Sequence, residues 1–138
     1  MTPDPTAVVE KALSERGVET DGVAEEDGEL MVVHTLSSLH PDAITHRVST
    51  ITDTFVRAFQ KYEDLRSLEI ILLNPDRTLV QSHICEEEWA EESAEALDRT
   101  DELIESESEN PTEINDQTAA RVNVVTKVLN ASDGPYRN

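Results

Sequence analysis

The chain has 138 residues and a mass of 15.4 kDa, enough for one domain built around a single core. Its 30 acids against 11 bases leave a formal charge of -19, which disfavours direct contact with nucleic acid or an anionic membrane surface. One cysteine cannot close an intramolecular disulfide, and no apolar run approaches the ~20 residues that cross a bilayer, so a membrane-free, cytoplasmic protein is expected.

Aromatic residues make up only 4% of the chain, so the core must be aliphatic. Met1 to Gly17 carries no unbroken signal-type apolar segment. It reads instead as a short helix, with Pro5 and Thr6 at its start, Val8, Val9, Ala12 and Leu13 on one face, and Gly17 as its stop. Val18 to Glu29 carries Gly22 and Gly28 among six acids and reads as a loop. Leu30 to Leu36 is rich in Val and Leu, lacks Gly and Pro, and predicts a strand buried on both faces.

Pro41 suits the first turn of a helix. From there Ile44, Val48, Ile51, Phe55, Phe59 and Tyr62 recur at steps of three or four residues, the most regular pattern in the sequence. Two apolar runs follow, Leu68 to Leu73 and Thr78 to Ile84, around Asn74-Pro75-Asp76-Arg77, a connection suited to antiparallel strands. The C-terminal third predicts two amphipathic helices. One runs from Glu86 to about Ser106 with Trp89, Ala90, Ala94, Leu97, Leu103 and Ile104. The other runs from Glu113 to about Asn130 with Ile114, Val122, Val125 and Leu129. Thr112 is a suitable cap for the second helix, and Asp133-Gly134-Pro135 ends it.

These elements predict one α+β domain. Residues 1–29 form the N-terminal helix and acidic loop, 30–84 a β-α-β-β core with a mixed three-stranded sheet, 85–132 the C-terminal helices and 133–138 a tail. A hairpin with an even-length turn groups Leu68, Ile70 and Leu72 with Leu79, Gln81 and His83 on one side of the sheet. Glu69, Ile71 and Leu73 then join Thr78, Val80, Ser82 and Ile84 on the other. Both sides are too apolar to stay wet, so each needs cover, either from the chain's own helices or from a symmetric partner. The candidate interface residues are Ile71, Leu73, Val80 and Ile84 on the sheet and Val125 and Leu129 on the last helix.

The acids spread from Asp4 to Asp133, and the bases comprise three lysines and eight arginines. A uniformly acidic, lysine-poor surface resembles in composition the proteins of salt-accumulating cells, where a Debye length of ~3 Å at 1 M salt screens the repulsion. Glu86 to Glu109 holds twelve acids against Arg99 alone, with like charges four residues apart that each cost about 0.2–0.5 kcal/mol at low salt.

His83 and Cys85 lie two apart on one predicted strand, and His34 lies on a strand that can neighbour it. Imidazole and thiolate would suit zinc or copper, but a structural zinc site needs four ligands at tighter paired spacing. Core packing explains the same three residues. His40 and His46 fit a helix entrance and an exposed helix face. No Ser, Thr or Cys is paired with a base by any local pattern, and Gly22 and Gly28 lack the spacing and lysine of a phosphate loop. No cofactor is expected. The sequence favours a non-catalytic interaction or regulatory module that self-associates or binds another protein. A metal- or small-molecule-dependent enzyme using His34, His83 or Cys85, and a nucleic-acid mimic using Glu86 to Glu109, are the alternatives.

Overall fold

The computed structural model describes residues 4–105 and 111–133. Helix α1 (Pro5–Glu15) opens with Asp4, whose carboxylate accepts the Thr6 amide at 3.0 Å, and ends before Gly17 in the left-handed region. Strands β1 (Gly22–Glu26) and β2 (Glu29–Thr35) form an antiparallel hairpin. Helix α2 (Pro41–Phe59) follows, entered through His40, whose Nδ1 accepts the Asp42 amide at 3.2 Å. It connects β2 to β3 (Ser67–Leu73), which runs parallel beside it, and β3 pairs antiparallel with β4 (Leu79–Cys85). Helices α3 (Glu87–Glu105) and α4 (Pro111–Asn130) come next. A two-residue strand β5 (Ser132–Asp133) then pairs with β4, giving the order β1-β2-β3-β4-β5.

The α+β class, α2 and the β3–β4 hairpin agree with the sequence reading, but the three-stranded sheet does not. The acidic segment expected as a loop supplies β1. Asp27 at φ 53° and Gly28 at φ 89° make a two-residue turn with two successive left-handed residues, the geometry whose twist matches a hairpin. The edge strand this creates carries exposed Glu25 and Glu26, charges that oppose edge-to-edge pairing. At the C-terminus, β5 occupies Ser132 and Asp133, where the sequence suggested only a helix end and tail. Helix α4 starts at Pro111, so Thr112 lies in its first turn instead of before it. The proposed stop at Gly134 and Pro135 lies outside the described residues.

One face of the sheet builds the core. Leu30, Val32, Leu36, Leu68, Ile70, Leu72, Val80 and Cys85 are buried and join one cluster with Val9 and Leu13 of α1, Val48, Ile51 and Phe55 of α2, Ala90 and Leu97 of α3, and Val124 and Val128 of α4. All four helices therefore contribute to the cover of a single side. Strand β2, expected to be buried on both faces, alternates between buried Leu30, Val32 and His34 and partly exposed Met31, Val33 and Thr35.

Candidate functional site: the open face of the sheet

The register fixes which side chains share the uncovered face. Met31, Val33 and Thr35 of β2 lie beside Glu69, Ile71 and Leu73 of β3, with Ser82 and Ile84 of β4 beyond them and Gly22 and Ala24 of β1 on the other side. Ile84 remains 45% exposed and Leu79 44% exposed, while Met31, Val33, Ile71 and Leu73 are partly exposed. Six aliphatic side chains thus line a sheet surface that no helix among the described residues covers. Their acidic neighbours Glu26, Glu29 and Glu69 gather toward the end that holds the β1–β2 turn. The opposite end holds the β3–β4 turn, where Arg77 bonds Asp21 at 2.7 Å with a largely exposed guanidinium.

Of the expected interface residues, Ile71, Leu73 and Ile84 stand on this face and Val80 does not. A bulge between Leu72 and Leu73 pairs Leu73 with Leu79 and leaves Val80 as the extra residue, only 1% exposed and part of the core. The same bulge removes Leu79 from the side that Gln81 and His83 share with Leu72 and Ile70. It follows Pro75-Asp76-Arg77, where Arg77 adopts φ 64° and donates its amide to the Asn74 carbonyl at 2.8 Å. The even-length turn inferred from sequence could not contain such an irregularity. Val125 and Leu129 are partly buried on α4, on the helical side of the molecule, where both line a cavity.

His34, His83 and Cys85 all point into the covered face but are not brought together as a ligand set. His34 is on β2 and the other two are on β4, with β3 between them, so two strand spacings of ~4.8 Å separate the elements. Each histidine has its own backbone partner: His34 Nδ1 meets the Glu19 carbonyl at 2.6 Å and His83 Nδ1 the Val128 carbonyl at 3.0 Å. A carbonyl only accepts, so both Nδ1 atoms carry hydrogen, and both Nε2 atoms are buried without a partner among the described residues. Burial, reinforced by Glu86, pushes the Cys85 thiol up to about 12, which leaves it protonated and weakly nucleophilic at neutral pH. Among the described residues no group of three or more His, Cys, Asp and Glu could hold a metal ion, and no helix is long and apolar enough to cross a membrane.

Comparison with curated proteins and with solved structures finds no match to this chain. A family model does match, over residues 1–106, which include α1, the first four strands, α2 and α3. The chain therefore belongs to the family described as a domain of unknown function, DUF8159.

Proposed function

We propose that this protein is a small, non-catalytic interaction module that pairs with a second copy of itself through the open sheet face, in a cytoplasm of high salt. The observation that carries the reading is the row of Met31, Val33, Ile71, Leu73, Leu79 and Ile84 on a sheet whose helices all serve the other side. Four strands at ~4.8 Å spacing and about seven residues at ~3.3 Å give a plane of roughly 400 Å². The six aliphatic side chains occupy the part of that plane away from Glu26, Glu29 and Glu69, and an apolar patch on the scale of a few hundred Å² is often functional on a monomer. The whole plane is about half of the ~800 Å² per partner in a standard interface, so the pair should be weak and reversible.

Charge favours a second copy in one orientation. Packed face to face about a twofold axis that opposes the strands, the end bearing Glu26, Glu29 and Glu69 would lie over the partner's β3–β4 turn, where Arg77 is paired with Asp21, and away from the partner's own three acids. The aliphatic centres would then meet as two sheets ~10 Å apart. Light scattering in 2 M KCl between about 10 and 300 μM tests this. Mass should rise from 15.4 kDa toward twice that value, and the double variant Leu79→Lys and Ile84→Lys, altered only at exposed positions, should stay monomeric. A wild-type protein that remains monomeric throughout, or a double variant that pairs equally well, overturns the reading.

A further inference from the structure

On the opposite, helical side, α2, α3 and α4 border an open cavity of about 720 Å³, within the range of small-molecule sites. Its wall includes Arg16, which follows α1, and Arg121 of α4, both bonded to Asp53 of α2: Arg16 to Oδ2 at 3.1 Å and Arg121 to Oδ1 at 2.5 Å. Arg57 also reaches Oδ2, at 3.2 Å. Three of the eight arginines in a chain of charge -19 therefore converge on one carboxylate and leave a local excess of two positive charges. Burial alone would raise the Asp53 pKa, but the Arg121 and Arg57 contacts hold it below the ordinary carboxylate value. Asp53 therefore stays ionised and keeps the guanidiniums in place.

A second observation concerns the hydroxyls. Thr52 lines the same cavity, is only 1% exposed, and its Oγ1 has no hydrogen-bond partner among the described residues. An unmet buried hydroxyl is costly, and a ligand that accepts its proton would relieve the cost. Ser93, 5% exposed, faces the cavity from α3, while Val122, Val125 and Leu129 give it an apolar wall on α4.

We infer that this cavity binds a small organic monocarboxylate, its carboxylate held by Arg16, Arg121 and the Thr52 hydroxyl and its aliphatic body laid along Val122, Val125 and Leu129. Each guanidinium meets Asp53 through a single nitrogen, Nη1 of Arg16 and Nη2 of Arg121, and its remaining N–H donors form the planar fork that matches a carboxylate. A monoanion is favoured over a phosphate dianion because the cost of approaching a strongly acidic surface grows with ligand charge. The apolar wall has no use for an inorganic ion.

Titrating the full chain with hexanoate in 1 M KCl, followed by amide NMR, tests the assignment. Saturable shifts are expected at Ser49, Thr52, Ser93 and Thr126, which line the cavity, and none on the open sheet face. Hexanol should give no saturable shift, and inorganic phosphate should bind more weakly than hexanoate. Arg121→Gln should weaken hexanoate about tenfold, the scale of one charge-assisted hydrogen bond. Thr52→Val keeps every ion pair and should also weaken binding, so it serves if Arg121→Gln fails to fold. No saturable shift on the wild type, shifts centred elsewhere, phosphate binding more tightly than hexanoate, or undiminished affinity in Thr52→Val overturns the inference. Because the cavity and the sheet face lie on opposite sides, this result is independent of whether the chain dimerises.

Discussion

His83 carries its hydrogen on Nδ1 because the atom it meets is the Val128 carbonyl, and its other nitrogen is buried without a partner among the described residues. Placing a second proton there would put a cation in the core, so burial lowers its pKa below the ordinary 6.5, with the carbonyl contact only partly opposing. The sign of the pH dependence follows. As pH falls through 6.5 the unfolded chain takes up a proton that the folded chain refuses, so this contribution to stability is complete above 6.5 and is lost between there and the lower folded pKa. Thermal unfolding from pH 7.5 to pH 5 at fixed KCl should show the wild-type Tm dropping more steeply than that of His83→Gln. Parallel curves would rule the mechanism out. The sequence placed His83 correctly on the face shared with Ile70 and Leu72, because strand alternation survives to the end of β4. It could not show that Val128, 45 residues away, would supply the partner, since contacts of that separation are set by packing and not by spacing.

At the level of elements, the β1–β2 hairpin rests on a turn signal that its acidic surroundings obscure. Asp27-Gly28 is among the strongest short-range hairpin signals, but it sits among Glu25, Glu26 and Glu29, and an acidic run with two glycines reads more readily as a solvated loop. Pairing with β2 decides otherwise: one side of β1 turns Val23 toward the core, and the remaining acids line an edge facing water. Helix α2 was legible because its apolar period runs unbroken for five turns, whereas the bulge at Leu72/Leu73 leaves no mark in composition and so misplaced Val80. Gly28 is the position on which the hairpin turns. Its backbone lies in the left-handed region, a Cβ there would stand 2.6 Å from the Asp64 carbonyl oxygen, and its own carbonyl accepts the Arg66 amide at 2.7 Å. Gly28→Ala combines ~1–2 kcal/mol of backbone strain with ~1–3 kcal/mol of overpacking, so a loss of about 2–5 kcal/mol is expected in urea unfolding at 1 M KCl. A loss below about 0.5 kcal/mol would show that the turn relaxes without cost.

For the whole molecule, charge and the uncovered face pull in opposite directions. Two copies of charge -19 must approach for the sheets to meet, and Glu26, Glu29 and Glu69 sit on the approaching surface itself. Repulsion at a distance is screened as the Debye length contracts from ~10 Å at 0.1 M to ~3 Å at 1 M, while burial of Ile71, Leu73 and Ile84 does not depend on screening. Dimerisation through this face should therefore tighten as KCl rises, by about tenfold or more between 0.2 and 2 M, as read by sedimentation equilibrium. A partnership through the carboxylates of α3 would do the reverse, because attraction to a basic surface fades under the same screening. The contribution of the face is separable from that of the whole surface. Replacing Glu26, Glu29 and Glu69 by Gln lowers the repulsion where the copies meet and should flatten the salt slope, with dimers already present at 0.2 M. Should association instead weaken with KCl in both proteins, the contact would be electrostatic, and the aliphatic face would not be the surface on which the copies meet.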